Sequence, residues 1–155
     1  MIRLVNPEMD AAKIAEIYNY YVENTTITFE TEQVSVNEMR SRIMELSSKF
    51  PYYVYEIDGK IAGYCYVHLW KLRAAYCHTV ETTVYLSNSF TGRGISKELM
   101  LKLIDTCRAE GYKALIACIT AGNEHSYALH RKLGFKQVSE FKSVGRKFDK
   151  WIDVT

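Results

Sequence analysis

The chain has 155 residues, of which 48% are hydrophobic and 25% are charged, and its formal net charge is +2. This length and composition predict one globular domain over residues 1–155, and the small net charge gives no basis for a nucleic-acid partner. No run approaches the roughly 18 apolar residues of a membrane span, and the N-terminal sequence lacks the apolar centre of a signal peptide, so we expect a cytoplasmic protein with no membrane partner.

The cysteines and histidines give no sign of a metal centre. The four cysteines lie far apart in apolar segments, and no Cys-x-x-Cys pair or zinc-like Cys/His spacing occurs. We expect reduced, mostly buried thiols and no metal site.

The first quarter of the chain predicts a strand and then a helix. Residues 1–5 form a short apolar run that Asn6 and Pro7 interrupt. Asp10 is a candidate N-cap for a helix whose apolar residues, from Ile14 to Val22, recur at helical spacing. The polar, β-branched stretch 24–30 that follows is typical of a loop covering a site.

A second helix and a β-hairpin come next. Ser35 or Asn37 begins the helix, and residues 52–57 form a strand. Asp58-Gly59 is typical of a type I′ turn, which leads into a partner strand over residues 60–70. In that strand Ala62-Gly63 leaves room for a close approach of the neighbouring backbone.

Residues 79–99 read as strand, loop and helix. The strand is rich in β-branched residues but contains Glu81, and a carboxylate in such a position needs a partner or a function. Gly92 and Gly94 precede the helix, and Gly111 ends it. Glycines before a helix N-terminus let backbone N–H groups approach an anion such as a pyrophosphate, although a plain turn is the alternative.

The last third predicts a strand, a helix and two more strands. Residues 113–120 form a nearly continuous apolar run, which we expect to be a central strand covered on both faces and joined by a parallel crossover. Asn123 caps the next helix and Gly134 closes it. Two strands, over residues 135–143 and 148–154, then flank a turn at residues 144–147.

Several of these segments together resemble one enzyme family. They are Thr79-Val-Glu-Thr-Thr-Val-Tyr-Leu86, the loop Thr91-Gly-Arg-Gly-Ile-Ser96, the segment from Asn123 to Phe135, Trp70-Lys-Leu-Arg-Ala-Ala-Tyr76 and Lys150-Trp-Ile-Asp-Val154. They resemble the GCN5-related N-acetyltransferases (GNAT), and more narrowly the phosphinothricin and methionine-sulfoximine acetyltransferases. The resemblance implies an α+β fold, with a central mixed, mostly antiparallel sheet of about seven strands flanked by about four helices. It also implies acetyl-coenzyme A as cosubstrate and a homodimer.

The resemblance also assigns residues to the cosubstrate. The glycine loop would hold the pyrophosphate, while the strand before it would hold the pantetheine arm through its main chain and polarise the thioester carbonyl. Thr91 and Ser96 depart from the family pattern, and Ser96 is a candidate cap for the following helix. The residues assigned to cofactor binding are Val84, Tyr85, Leu86, Thr91, Gly92, Arg93, Gly94, Ile95, Ser96, Asn123 and Ser126.

Two residues are assigned to catalysis. Glu81 matches the family's glutamate and would take the proton of the attacking amine. Thr79 and Thr83 would lie on the same face of the strand and could hold a relay water. The alternative for Glu81 is a salt bridge across the sheet to Arg73. His130 would be an acid for the departing sulfur or a positioning donor, and the alternative is a packing residue. His68, His78 and His125 have weaker cases.

Acceptor residues follow from the same resemblance. The expected reaction is transfer of an acetyl group to the α-amine of a small amino acid analogue. One alternative is acetylation of another amine, such as a polyamine, an aminoglycoside or a protein N-terminus. The other alternative is a non-catalytic coenzyme A-binding module. A structural turn at 24–30 and edge charges on the sheet remain the alternatives for the acceptor residues. The residues assigned to substrate binding are Phe29, Lys71, Arg73, Tyr76 and Thr83.

Overall fold

The computed structural model describes residues 1–155 and contains four α-helices and seven β-strands. No helix has both the length and the apolar character needed to cross a membrane. In chain order the elements are β1 Ile2–Leu4, α1 Pro7–Asn24, α2 Val36–Ser47, β2 Tyr52–Ile57, β3 Lys60–Leu69, β4 Thr79–Leu86, α3 Ile95–Ala109, β5 Ala114–Ile116, α4 Glu124–Lys132, β6 Phe141–Lys147 and β7 Lys150–Val154.

The chain divides into two compact units. Unit 1 comprises Met1–Ile17 and Val34–Ala117, and unit 2 comprises Tyr18–Gln33 and Cys118–Thr155. Unit 1 contains a five-stranded sheet of order β1-β2-β3-β4-β5, in which every neighbouring pair is antiparallel except β4 and β5. Unit 2 contains the antiparallel pair β6-β7. The mixed, mostly antiparallel class and the four helices are confirmed, but the seven strands form two sheets instead of one.

Helix α3 packs against β2, β3 and β4 and covers the middle of the unit 1 sheet. Its apolar residues recur at helical spacing and form a stripe: Leu99, Met100, Leu103 and Cys107 are fully buried, and Ile104 is half-buried. Gly111, at φ +87°, follows the end of the helix as predicted. Burial of this stripe fixes α3, and hence the loop before it, on the sheet that carries Glu81.

The β2-β3 hairpin has the predicted turn. Asp58 and Gly59 both take positive φ, at 48° and 75°, as a type I′ turn requires. Further along β3, a Cβ built on Gly63 would stand 2.4 Å from Leu86 Cδ2 and 2.8 Å from the carbonyl oxygen of Tyr85. The close approach expected at this glycine is therefore real, and it brings β4 against β3.

The start of α1 differs from the prediction. The side chain of Asn6 accepts hydrogen bonds from the N–H groups of Glu8 and Met9, at 3.0 and 3.2 Å, and Pro7 occupies the first helical position. Asp10 is therefore inside the helix, where it pairs with Arg3 at 2.8 Å and is buried. The second helix begins after Ser35, whose hydroxyl accepts from Glu38 N–H, as predicted.

The predicted strand 113–120 is shorter and lies in a different place. Its strand part, β5, covers only Ala114–Ile116 and forms an edge of the unit 1 sheet, so the expectation of a central strand covered on both faces was wrong. The parallel crossover from β4 to β5 is confirmed. Beyond Ile116 the apolar run leaves the unit 1 sheet, and Ile119, already in unit 2, exchanges backbone hydrogen bonds with Thr155 of the same unit, at 2.8 Å each.

The turn of the last hairpin is also displaced. Phe148 and Asp149, with φ of 51° and 58°, connect β6 to β7, so residues 144–147 belong to β6 and are not a turn. Gly145 lies inside β6, and a Cβ there would stand 2.4 Å from the ring of Phe29, so a residue with a side chain would clash with this ring. Helix α4 is bounded by Asn123 and Gly134 as predicted.

Candidate active site

Strand β4 carries Glu81 on the face opposite its buried residues. Val80 and Thr82 are buried, whereas Thr79, Glu81 and Thr83 alternate with them and are half-buried. The Glu81 side chain keeps 21% of its accessible surface. It is therefore shielded enough to interact strongly with a neighbour and exposed enough to exchange a proton.

The neighbour that the structure places against Glu81 is His68. The β3-β4 register sets the two residues directly opposite each other, and Glu81 Oε2 lies 2.6 Å from His68 Nε2. From the sequence alone, His68 has a weaker case as a functional residue, and Arg73 is the alternative partner of Glu81 across the sheet. The signal that it lacked is the register, since period-2 alternation places His68 on one face of β3 but not opposite a particular residue of β4.

The His68–Glu81 contact changes the acid–base character of the imidazole. Its hydrogen bond to the carboxylate raises the pKa of His68 above its ordinary value, while partial burial acts in the opposite direction. On the other side of the ring, Nδ1 lies 2.9 Å from the carbonyl oxygen of Leu69 and donates to it. Both ring nitrogens therefore face oxygen atoms.

The loop between β4 and α3 has the geometry of an anion cradle. Gly92 and Gly94 take φ of 77° and 79°, and no heavy atom lies within 4 Å of a Cβ built on either. Gly94 is the N-cap of α3, and its lack of a side chain leaves no capping group in front of the first turn. Ser96 is the second residue of the helix, so the prediction that it caps α3 was wrong.

Other residues of this loop shape its sides. The Arg93 guanidinium lies over the ring of Phe90, 5.2 Å from the centroid, and Ile95 is buried beneath the start of the helix. The Thr91 hydroxyl donates to the carbonyl oxygen of Asn88 at 3.4 Å. Arg93 is thus a cation held at the rim of the glycine cradle.

The second half of β4 leads from Glu81 to this loop. Its ladder with β5 spans Thr79 to Glu81, so residues 84–86 lie beyond it and pair with β3, where Leu86 is opposite Gly63. The Tyr85 ring packs against the ring of Tyr64, with 5.7 Å between centroids. An extended ligand arm that pairs with a strand needs a segment of this kind.

Three residues on α4 of unit 2 come together as predicted from their spacing. Asn123 Oδ1 accepts from the N–H of Ser126 at 3.2 Å, and Ser126 Oγ lies 3.2 Å from Nδ1 of His130. His130 is buried and meets the edge of the Phe135 ring at 5.0 Å. The capping role of Asn123 and the packing of His130 are therefore both structural features of this helix.

Burial lowers the pKa of His130 below its ordinary value, so the ring is neutral at pH 7. Its Nδ1–H donates to the carbonyl oxygen of Ser126 at 2.8 Å. In that tautomer Nε2 carries a lone pair and no proton. A neutral ring with its one proton held by the main chain has none to give to a ligand, so this arrangement favours the packing alternative for His130 over the acid and donor alternatives.

Unit 2 also contains a pocket that encloses about 470 Å³. Thr120 lies in its wall with a buried hydroxyl that has no hydrogen-bond partner, and Lys150 adds a cation. Phe29 is not among the lining residues, since its ring lies against Gly145. The pocket is lined by residues 24–27, residues 120–123, Phe148 and Lys150.

The remaining acceptor candidates of unit 1 lie after β3 and on β4. Lys71 and Arg73 are exposed, and Tyr76 keeps 40% of its surface in a short 3₁₀ turn, Ala74–Tyr76. Lys71 Nζ lies over the Trp70 ring, 5.3 Å from its centroid. Thr83 shares the Glu81 face of β4. The structure thus places these residues on accessible parts of unit 1.

Comparison with known proteins supports one family. Residues 2–155 match the family model described as an acetyltransferase (GNAT) domain. A phosphinothricin N-acetyltransferase of Alcaligenes faecalis is 38% identical over 154 residues, covering 98% of this chain and 78% of that protein. A methionine sulfoximine/methionine sulfone acetyltransferase of Salmonella typhimurium is 31% identical, covering 94% and 86%.

A solved structure gives the same result for the fold. The phosphinothricin acetyltransferase of Sinorhizobium meliloti, solved in complex with acetyl-coenzyme A, superposes with a TM-score of 0.95 at 35% identity, covering 99% of this chain and 84% of that one. This likeness and the family match, taken with the glycine cradle and the carboxylate on β4, show that the chain belongs to the GNAT acetyltransferase family.

Proposed function

We propose that this protein transfers the acetyl group of acetyl-coenzyme A to the α-amino group of a small amino acid analogue of the phosphinothricin, methionine sulfoximine or methionine sulfone type. The named relatives act on such compounds, and they match most of the chain. The observation that carries the proposal is the half-buried Glu81 on the strand that leads into the glycine cradle. The match over residues 2–155 supports treating the chain as one acetyltransferase domain.

The residues of unit 1 fit the cosubstrate. The open space at Gly92 and Gly94 admits a pyrophosphate against the first turn of α3, and Arg93 adds a cation at the rim. The main chain of residues 84–86 is extended and suits the amides of a pantetheine arm. Acetyl-coenzyme A supplies a thioester, whose carbonyl carbon the amine attacks as the carbon–sulfur bond breaks.

The role proposed for Glu81 is that of general base. An α-amine is mostly protonated at neutral pH and has no lone pair to attack until it loses a proton. The Glu81 carboxylate accepts that proton directly or through a water that Thr79 and Thr83 hold on the same face of β4. In unit 2, we assign Asn123 and Ser126 to the cosubstrate, and His130 packs against Ser126 and holds it in place.

The acceptor needs groups that bind a carboxylate and a polar side-chain head. Arg73 and Lys71 are accessible cations, and the Arg73 guanidinium suits a carboxylate through its two parallel N–H groups. Tyr76, Thr83 and Phe29 complete the set of proposed acceptor residues.

The test is a thiol-release assay with acetyl-coenzyme A and a panel of acceptors, with the product identified by mass spectrometry. We expect acetylated phosphinothricin, methionine sulfoximine or methionine sulfone, and no product from analogues that lack the α-amine. Thiol release with a polyamine, an aminoglycoside or a peptide N-terminus in place of these acceptors would overturn the assignment. Cytoplasmic location and a homodimer are part of the proposal, and sedimentation that shows a monomer would remove the dimer.

A further inference from the structure

The hydrogen-bond pattern around His68 requires a shared proton. Nδ1 faces the carbonyl oxygen of Leu69, which can only accept, so Nδ1 carries a hydrogen. Nε2 faces the carboxylate oxygen of Glu81 at 2.6 Å. With a proton on Nε2, the imidazole donates a hydrogen bond to Oε2. Without that proton, a lone pair of Nε2 faces a lone pair of Oε2.

From this geometry we propose that His68 and Glu81 act as one base: Glu81 takes the proton of the attacking amine, and His68 accepts and stores it on Nε2. The proposal rests on the proposed function and extends it by adding a positioning residue. In the transfer an N–H bond of the ammonium breaks, the proton passes to the carboxylate, and it ends on the imidazole, which becomes imidazolium beside an ionised carboxylate.

The benefit of the pair is a better match between the base and the amine. A glutamate alone has a pKa near 4.3, which makes it a weak acceptor at pH 7. The pair binds its proton with the affinity of an imidazole whose pKa is raised above 6.5 by the carboxylate. The pair is ready to accept a proton when His68 is neutral, so activity rises as pH increases through the pKa of His68.

The surroundings of the imidazole contain few other titratable groups. On β3 the Tyr66 ring lies 6.4 Å from the imidazole, and on β4 the facing group is Glu81 itself. On β5 the residue opposite Glu81 is Ile116, which is apolar. The carboxylate is the one charge that acts on the pKa of His68. With 38% of its side chain exposed, His68 can return its proton to solvent after each turnover.

The decisive experiment is the pH dependence of kcat/KM in the wild type and in His68→Gln. The glutamine amide occupies the Nε2 position and can donate to Glu81, but it does not titrate in this range. We expect the acidic limb, with its midpoint above 6.5 in the wild type, to move down by a unit or more, and the rate at pH 7.5 to fall about 10-fold. His78→Gln, which changes an exposed histidine of the same unit, should leave the limb in place.

A second measurement does not depend on turnover. The ring nitrogen shifts of His68, followed by NMR without substrates, should titrate above 6.5 and move lower in Glu81→Gln. An active wild type whose acidic limb is the same in His68→Gln, or a His68 titration unchanged by Glu81→Gln, would overturn the shared base. A wild type that acetylates no acceptor would instead overturn the proposed function, so the two failures are distinguishable.

Discussion

Replacing Gly63 with alanine tests whether the contact of β3 with β4 sets the shape of the strand that we assign to the pantetheine arm. The new Cβ would lie 2.4 Å from Leu86 Cδ2 and 2.8 Å from the carbonyl oxygen of Tyr85, against an ordinary separation of about 3.5 Å. The leucine tip can rotate, but the carbonyl oxygen belongs to the backbone, so the strands must separate locally by about half an ångström.

The cost of this separation can be bracketed. Overpacking costs about 1–3 kcal/mol, and removing a glycine from a strand returns roughly 0.5–1 kcal/mol. Taken at the middle of each range, these terms leave a net loss of about 1 kcal/mol, which corresponds to a fall in Tm of about 2–4 °C for a chain of this size. Because Tyr85 and Leu86 are assigned to the arm, KM for acetyl-coenzyme A should rise too.

Thermal unfolding followed by circular dichroism, together with KM from the thiol-release assay, measures both effects. Lys60→Ala, at an exposed position on the same strand, is the control and should shift the free energy of unfolding by less than about 0.5 kcal/mol. A Gly63→Ala protein with an unchanged or higher Tm and an unchanged KM would refute the reasoning from the close approach.

Two further predictions concern the glycine cradle and the buried histidine. Gly94→Val places a β-branched residue at φ +79° in the cradle and should raise KM for acetyl-coenzyme A about 10-fold or more. The control Gly59→Val, at φ +75° in the β2-β3 turn, should destabilise the fold without raising this KM. Equal effects of the two variants on KM would contradict the assignment of the cradle to the cosubstrate. Burial lowers the pKa of His130 below its unfolded value near 6.5, so its contribution to stability is present above pH 6.5 and is lost as pH falls towards the folded pKa. The free energy of unfolding in urea, measured for the wild type minus that of His130→Gln, should therefore decrease from pH 7.5 to pH 5. A difference that stays constant over this range would contradict a lowered pKa of His130 in the folded protein.

Local chemistry accounts for what the sequence could predict of the fold. Asp58-Gly59, Asn123 and Gly111 each satisfy a backbone requirement of the turn or helix end in which they lie, so their neighbours in the chain suffice to interpret them. The turn at Phe148 and Asp149 has no such local signal, because positive φ is uncommon for non-glycine residues. The prediction that Gly145 belongs to a turn is wrong because the ring that excludes a side chain there, Phe29, is distant in sequence.

In the candidate site too, features set by neighbouring residues in the chain could be predicted, and features set by contacts distant in sequence could not. Glu81 and the glycine loop can be found in the sequence because each lies in a short motif with a local pattern. The partner of Glu81 could not be found in this way, since the segment between β3 and β4 contains a 3₁₀ turn and does not fix the strand register. Pairing across a sheet is decided by contacts distant in sequence, and it is this pairing that places His68 against the carboxylate.

The most direct test of the account compares Glu81→Gln with the wild type in both turnover and binding. The glutamine amide is nearly isosteric with the carboxylate and can donate to His68 Nε2, so the strand and the cradle should keep their structure. We predict that kcat with the best acceptor falls 10²–10⁴-fold, while the calorimetric Kd for acetyl-coenzyme A stays within about threefold. A kcat that remains within threefold of the wild type would show that the β4 carboxylate is not the base.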